Sequence, residues 1–128
     1  MDAPPSLLIV EGNAHMLALL QRFLARQQLM TAAATSLPEA RSLIAQQYYP
    51  VVLTDLFWPQ DSGRELLRYI RQTSPRTRVV VMTPFGSPAL HQSLQQEGAY
   101  ACIPKPFSLH RLWQLLQQAL QAEERATT

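Results

Sequence analysis

Val51-Val52-Leu53-Thr54-Asp55 is a short apolar run that stops on a carboxylate. It is too short for a stable helix and lacks the polar alternation of a half-exposed strand. A run of this kind reads as a strand covered on both faces, the habit of parallel sheets. The same signature recurs on either side. Upstream, Leu7-Leu8-Ile9-Val10 ends on Glu11; downstream, Val79-Val80-Val81-Met82 ends at Thr83. Two further runs complete the set: a weak one from Met30 to Ala34, and Ala99 to Ile103, which leads into Pro104-Lys105-Pro106.

Helical patterns fill the gaps. Met16, Leu19, Leu20, Phe23 and Leu24 recur at helical spacing, which predicts an amphipathic helix near 14 to 27. Ser36 with Glu39 reads as a capping box, with Pro38 in the first turn of a helix that runs to about Gln47. Ser62 with Glu65 repeats the box before Leu66, Leu67 and Ile70. Pro88 starts a helix carrying Leu90 and Leu94, and Gly98 ends it. Ser108 caps a last helix with Leu109, Leu112, Trp113, Leu115, Leu116, Ala119 and Leu120. Five strand–helix alternations predict an α/β fold: a five-stranded parallel sheet with helices on both faces. With no internal linker or repeat, residues 1–128 read as one domain, and 121–128 as a polar tail that frays or begins a linker.

Composition narrows the function classes. With 128 residues, 47% hydrophobic and 16% charged, the chain suits one well-buried core and excludes disorder. Its apolar runs are too short to cross a bilayer, so no membrane partner is expected. Met1 to Ser6 has no basic stretch, hence no signal peptide. The single cysteine, Cys102, excludes an internal disulfide and suits a cytoplasmic setting. Net charge is +2, and the arginines are scattered from Arg22 to Arg125 without a phosphate-tracking stripe, so direct nucleic-acid binding is not expected of this domain. His15, His91 and His110 are dispersed, and with Cys102 they give no zinc spacing.

The chemistry gathers at strand ends. Ligands of open parallel sheets sit at the carboxyl ends of the strands, where strand order switches. Glu11, Asp55, Thr83 and Lys105 each follow a strand, so the fold would bring two carboxylates, a hydroxyl and an ammonium to one edge. Taken singly, an acid ending a strand is an ordinary turn former and a lysine an ordinary surface charge. Agreement of residue type and place at four strands is what points to a site. Lys105 is the only lysine; its compact ammonium between two prolines can meet a carboxylate or phosphoryl oxygen as a point charge.

These residues resemble a known family. Leu8-Ile9-Val10-Glu11, Val52-Leu53-Thr54-Asp55 with Pro59 and Gly63 behind it, Met82-Thr83, and Pro104-Lys105-Pro106-Phe107 are similar to the receiver domain of two-component response regulators. The resemblance spans nearly the whole chain, and residues 85 to 109 look most like receivers that precede ATP-dependent transcription activators. It implies a CheY-like, flavodoxin-like sheet of order 2-1-3-4-5 and a phosphoryl group accepted by Asp55 from a histidine kinase or phosphotransfer protein. It also implies that Thr83 binds a phosphoryl oxygen and that Lys105 pairs with the phosphate. Magnesium would be held by Glu11, Asp55 and the backbone carbonyl of Phe57, and Lys105–Pro106 would be a cis bond. The implied product is a signalling module and not an enzyme, signalling through its last two helices and strand, with a homodimer and a C-terminal effector domain as further expectations.

The chain also departs from that pattern. Gly12 stands where the family usually has a directly ligating acid, which predicts weak or absent magnesium binding. Asp61 is the nearest substitute in sequence, but its place near a helix start suits solvent better. Pro84 follows Thr83 and stiffens a loop that usually moves. Cys102 takes the place of a switching aromatic, with Tyr100 on the wrong phase of the strand; a buried structural thiol is the simpler reading than a redox role. Phe57 and Trp58 beside Asp55 read equally as a partner-docking patch or as a cover for the site, and Trp113 as core or dimer face. Two functions therefore stand open: a phosphorylatable receiver, and a phosphorylation-independent interaction or dimerisation module. A haloacid-dehalogenase-like phosphatase would need an acid at Phe57, and flavin binding would need clustered glycines, so both are set aside.

Overall fold

The computed structural model of the chain describes residues 4–56, 63–84 and 87–127, with side chains through residue 122. Strands and helices alternate: β1 (Leu7–Val10), α1 (Ala14–Arg26), β2 (Thr31–Ala34), α2 (Leu37–Gln46), β3 (Val51–Asp55), α3 (Gly63–Thr73), β4 (Arg78–Thr83), α4 (Pro88–Gln96), β5 (Ala101–Pro104) and α5 (Leu109–Thr127). The sheet has the order β2-β1-β3-β4-β5, and every neighbouring pair is parallel. This is the five-stranded flavodoxin-like order expected from the sequence.

Strand alternation divides the core between two faces. Leu8, Val10, Val52, Val79 and Val81 point to one side, where they meet Leu37, Ala40 and Ile44 of α2, Leu66, Leu67 and Ile70 of α3, and Leu94 of α4. Leu7, Ile9, Val51, Leu53, Val80 and Met82 point to the other, against Leu17, Leu20 and Leu24 of α1 and Leu112, Leu115, Leu116 and Ala119 of α5. Because both faces are covered, the central strands need no polar residues, and β1 is wholly buried. Each fully buried Leu, Ile or Val contributes about 1.5–3 kcal/mol.

The helix ends carry the predicted caps. Ser36 Oγ accepts from the Glu39 N–H at 3.2 Å, but Glu39 returns its bond to the Thr35 N–H at 2.7 Å, one residue earlier than the usual box. Ser108 Oγ accepts from the Arg111 N–H at 3.0 Å. Gly98, at φ +109°, turns the chain out of α4: the Ala99 N–H reaches the Leu94 carbonyl and the Gly98 N–H that of Gln95, both at 3.0 Å. This is a Schellman closure. A Cβ at Gly98 would also lie 2.7 Å from the Arg71 side chain, which would have to shift, but it is the positive φ that demands glycine. Ser62 of the other box lies outside the described residues.

Two boundaries differ from expectation. β5 starts at Ala101 instead of Ala99, because the Schellman turn claims the Ala99 N–H. β2 starts at Thr31, since Met30 is largely exposed. α5 extends past Leu120 to Thr127. The Gln, Ala, Glu and Arg residues of this stretch are good helix formers, which outweighs the lack of apolar ones.

Candidate phosphoacceptor site

The strand order reverses at β1, whose neighbours are β2 on one side and β3 on the other. Beside that switch the sheet presents Glu11 after β1, Asp55 at the end of β3, Thr83 at the end of β4 and Lys105 after β5. The structure joins three of them directly. Lys105 Nζ donates to Glu11 Oε1 at 3.1 Å and to Asp55 Oδ2 at 3.3 Å. Thr83 is fully buried, and its carbonyl accepts from the Lys105 N–H at 2.6 Å, which ties the lysine's backbone to β4. The Lys105–Pro106 bond is cis, as the resemblance implied.

Glu11 is only 2% exposed and is held from two sides. Its Oε2 accepts from the Asn13 N–H at 3.2 Å, while Asn13 Oδ1 caps α1 by accepting from the Met16 N–H at 2.9 Å. Sequence reading gave Asn13 no part in the site. An Asn just before an amphipathic run was the available signal, as an N-cap pattern. Gly63 has a comparable positioning role. Its N–H bonds to the Leu56 carbonyl, and a Cβ there would sit 2.6 Å from the Asp55 carbonyl oxygen and 2.8 Å from Leu56 Cα. The first turn of α3 thus rests on the end of β3 with no room for a side chain.

Burial opposes the charge of the Lys105 ammonium, but its hydrogen bond to Glu11, with the charge of Asp55, outweighs that loss and raises its pKa above the ordinary lysine value. The lysine is therefore charged throughout the physiological range. A cleft of about 330 Å³ opens beside it, lined by Glu11, Asn13, His15, Met16, Leu19 and Lys105.

The magnesium expectation can be tested on the donor set. Gly12 is exposed and supplies no donor side chain. Among the described residues no group of three or more acidic, histidine or cysteine side chains is placed to hold a metal ion. Phe57 and Asp61 lie outside the described residues, as does Trp58. The two carboxylates present both face an ammonium, and both oxygens of Glu11 already accept hydrogen bonds. Magnesium is commonly held by one or two carboxylates with water completing its octahedron, so Glu11 and Asp55 are the described residues that would hold it, and Gly12 adds no further carboxylate.

The remaining residues singled out in the sequence lie further off. Pro84 is exposed directly after Thr83. Cys102 is half-buried against the α2–α4 face, and burial pushes its thiol up to about 11 although the Arg64 guanidinium pulls the other way. Tyr100 packs toward the α1–α5 face instead, and Trp113 is half-buried there. His15 and His110 are exposed, and His91 is half-buried on α4.

The family model for the response regulator receiver domain matches residues 7–117. The chain belongs to that family. As a receiver it is 36% identical over 114 residues to the response regulator protein PilR of Pseudomonas aeruginosa, covering 89% of this chain and 26% of that protein. It is 30% identical over 123 residues to the regulatory protein AtoC of Escherichia coli, covering 96% of this chain and 27% of that one. The receiver thus spans about a quarter of the length of these relatives. Among solved structures, the beryllofluoride-activated NtrC4 receiver domain dimer superposes with a TM-score of 0.85 at 26% identity, over 91% of this chain and 97% of that one. The signal receiver domain of a putative LuxO repressor from Vibrio parahaemolyticus shares the fold at a TM-score of 0.90 and 24% identity, over 98% and 96% of the two chains.

Proposed function

We propose that this receiver accepts a phosphoryl group on Asp55 from the phosphohistidine of a histidine kinase or phosphotransfer protein. The observation that carries the reading is the Lys105 ammonium 3.3 Å from Asp55 Oδ2, at the carboxyl edge of a parallel sheet. In the transfer, an Asp55 carboxylate oxygen forms the new P–O bond and the P–N bond to the donor imidazole breaks. The nitrogen keeps the bonding pair and takes a proton from solvent. Lys105 then shifts its charge from the free carboxylate to a phosphoryl oxygen, and the Thr83 hydroxyl at the end of β4 would donate to a second oxygen, as in the receivers this chain resembles. Glu11 and Asp55 would hold magnesium when it binds, and its charge would offset that of the incoming phosphoryl group.

Output would pass through the face made by α4, β5 and α5. A homodimer is consistent with the dimeric NtrC4 receiver, and control of a longer regulator with the greater length of PilR and AtoC. A cytoplasmic setting belongs to the same proposal; no described helix is long and apolar enough to cross a membrane. Catalysis on external substrates is not part of it, which makes the domain a signalling module in function. A second reading, the phosphorylation-independent module, is favoured by Gly12 and by the exposed Pro84 after Thr83.

Intact-protein mass after incubation with acetyl phosphate and magnesium separates the two, with Asp55→Asn as control. A single phosphoryl adduct in the wild type alone supports the acceptor. No adduct in a folded protein, while a conventional receiver is labelled in parallel, moves the function to the phosphorylation-independent module.

A further inference from the structure

We propose that an ionic latch holds α4 closed: Arg64 and Arg68 of α3 grip the Glu97 carboxylate at its C-terminal end, and release of that grip lets the helix open. The regulatory meaning rests on the reading that α4 belongs to the output face; the latch itself stands on geometry alone.

α4 is weakly anchored by other means. Of its nine residues only Leu94 is buried, with Leu90 packed partly against the same core. α1 and α2 bury three residues each, and α3 four, so α3 is the fixed side of the contact. Arg64 and Arg68 lie one turn apart on α3, and Ser93 and Glu97 one turn apart on α4, so each pair shares a helix face. Arg64 Nη1 donates to Ser93 Oγ at 3.3 Å and pairs with Glu97 Oε2, while Arg68 Nη2 lies 3.5 Å from Glu97 Oε1. One carboxylate therefore serves two guanidiniums. Arg71, the next arginine along α3, takes no part in the grip. Its guanidinium donates to the Thr77 and Pro75 carbonyls at 3.0 and 2.6 Å.

Glu97 also sits at the wrong end of its helix. It is the C-cap of α4, whose last turn has no basic residue and whose first turn has no acid. An acid beside the negative pole destabilises a helix taken by itself. The arginines of α3 supply the cations that this end lacks. Closed, α4 has its charge matched; detached, it keeps one apolar anchor and an unfavourable charge at its end. Opening of the helix and fraying of its last turn therefore reinforce each other.

Hydrogen exchange across residues 87 to 99, read by mass spectrometry on the whole chain without a phosphoryl donor, tests the latch. Glu97→Gln should speed exchange of this segment by about threefold to tenfold and leave α1 and α2 unchanged. The sign is diagnostic, because neutralising an unpartnered acid at a helix C-terminus would slow exchange instead. In the wild type, raising NaCl from about 0.05 to about 0.5 M should speed α4 exchange by about threefold, and Glu97→Gln should stay nearly level. Slower or unchanged exchange in Glu97→Gln would overturn the proposal. An equal rise in every helix would do so too, because Glu97 would then support the whole fold and not one helix. Should the variant not fold, the wild-type salt series decides alone, and salt-insensitive α4 exchange sinks the latch. None of these outcomes depends on Asp55 accepting a phosphoryl group or on α4 meeting a partner.

Discussion

At Gly63 the absence of one carbon sets how closely α3 approaches the acceptor candidate. The atoms a Cβ would meet are the Asp55 carbonyl oxygen and Leu56 Cα, both backbone, so no flexible side chain can swing aside. Gly63→Ala should cost about 1–3 kcal/mol, as overpacking does, seen as a lower urea midpoint at unchanged slope. Because the strain falls on the peptide after Asp55, the variant should also label more slowly with acetyl phosphate than its stability loss explains. Cys102 illustrates the opposite kind of residue, one whose reactivity is suppressed. A thiol pushed from an ordinary 9.0 to about 11 by burial carries about a hundredfold less thiolate at pH 8. Alkylation by iodoacetamide should be slower by about that factor in the folded protein and recover in urea. Since the Arg64 guanidinium favours the thiolate, Arg64→Ala should slow the folded-state reaction further.

At the scale of elements, α1 and α4 close with the same pair of hydrogen bonds but with different residues at the turn. After α1 the Leu29 N–H reaches the Leu24 carbonyl and the Gln28 N–H that of Ala25; after α4 the matching bonds involve Ala99 and Gly98. Gly98 was legible in the sequence as a helix stop, whereas Gln28, at φ 62°, was not, because glutamine gives no turn signal. Relieving the left-handed strain on a side chain is worth about 1–2 kcal/mol, and glycine's greater freedom in the unfolded chain returns about 0.4–1 of it. Gln28 is exposed, so little packing is lost. Gln28→Gly should therefore stabilise the protein by about 0.5–1 kcal/mol, read as a higher urea midpoint. Strand boundaries were less legible for a related reason. The start of β5 depends on which carbonyl captures the Ala99 N–H, a tertiary outcome that the apolar run from Ala99 to Ile103 does not encode.

For the whole molecule, the sheet order came from the family resemblance, while the gathering of Glu11, Asp55, Thr83 and Lys105 was legible because parallel strand–helix units put every strand's carboxyl end on one edge. The bridge from Lys105 to both acids and the clasp of Asn13 on Glu11 were not, because they depend on side-chain reach, which spacing does not specify. The assembled fold has a collective property that no single element shows. Three groups from different parts of the structure hold protons more tightly when folded. Cys102 does so through burial; Tyr49 also through burial; and Lys105 because Glu11 and Asp55 outweigh its own desolvation. A pKa raised by folding gives stability that is complete below the unfolded value and fades as pH rises through the folded one. The ordinary values of 9.0 for the thiol, 10.0 for the tyrosine and 10.5 for the lysine set the order of loss. Thermal stability should thus begin to fall above about pH 9 and fall more steeply above 10. Calorimetric scans across this range should show Cys102→Ala flattening the first part of the decline and Lys105→Met the last part. A wild-type melting temperature that stays level up to about pH 11 would count against a tighter hold on these protons in the folded state.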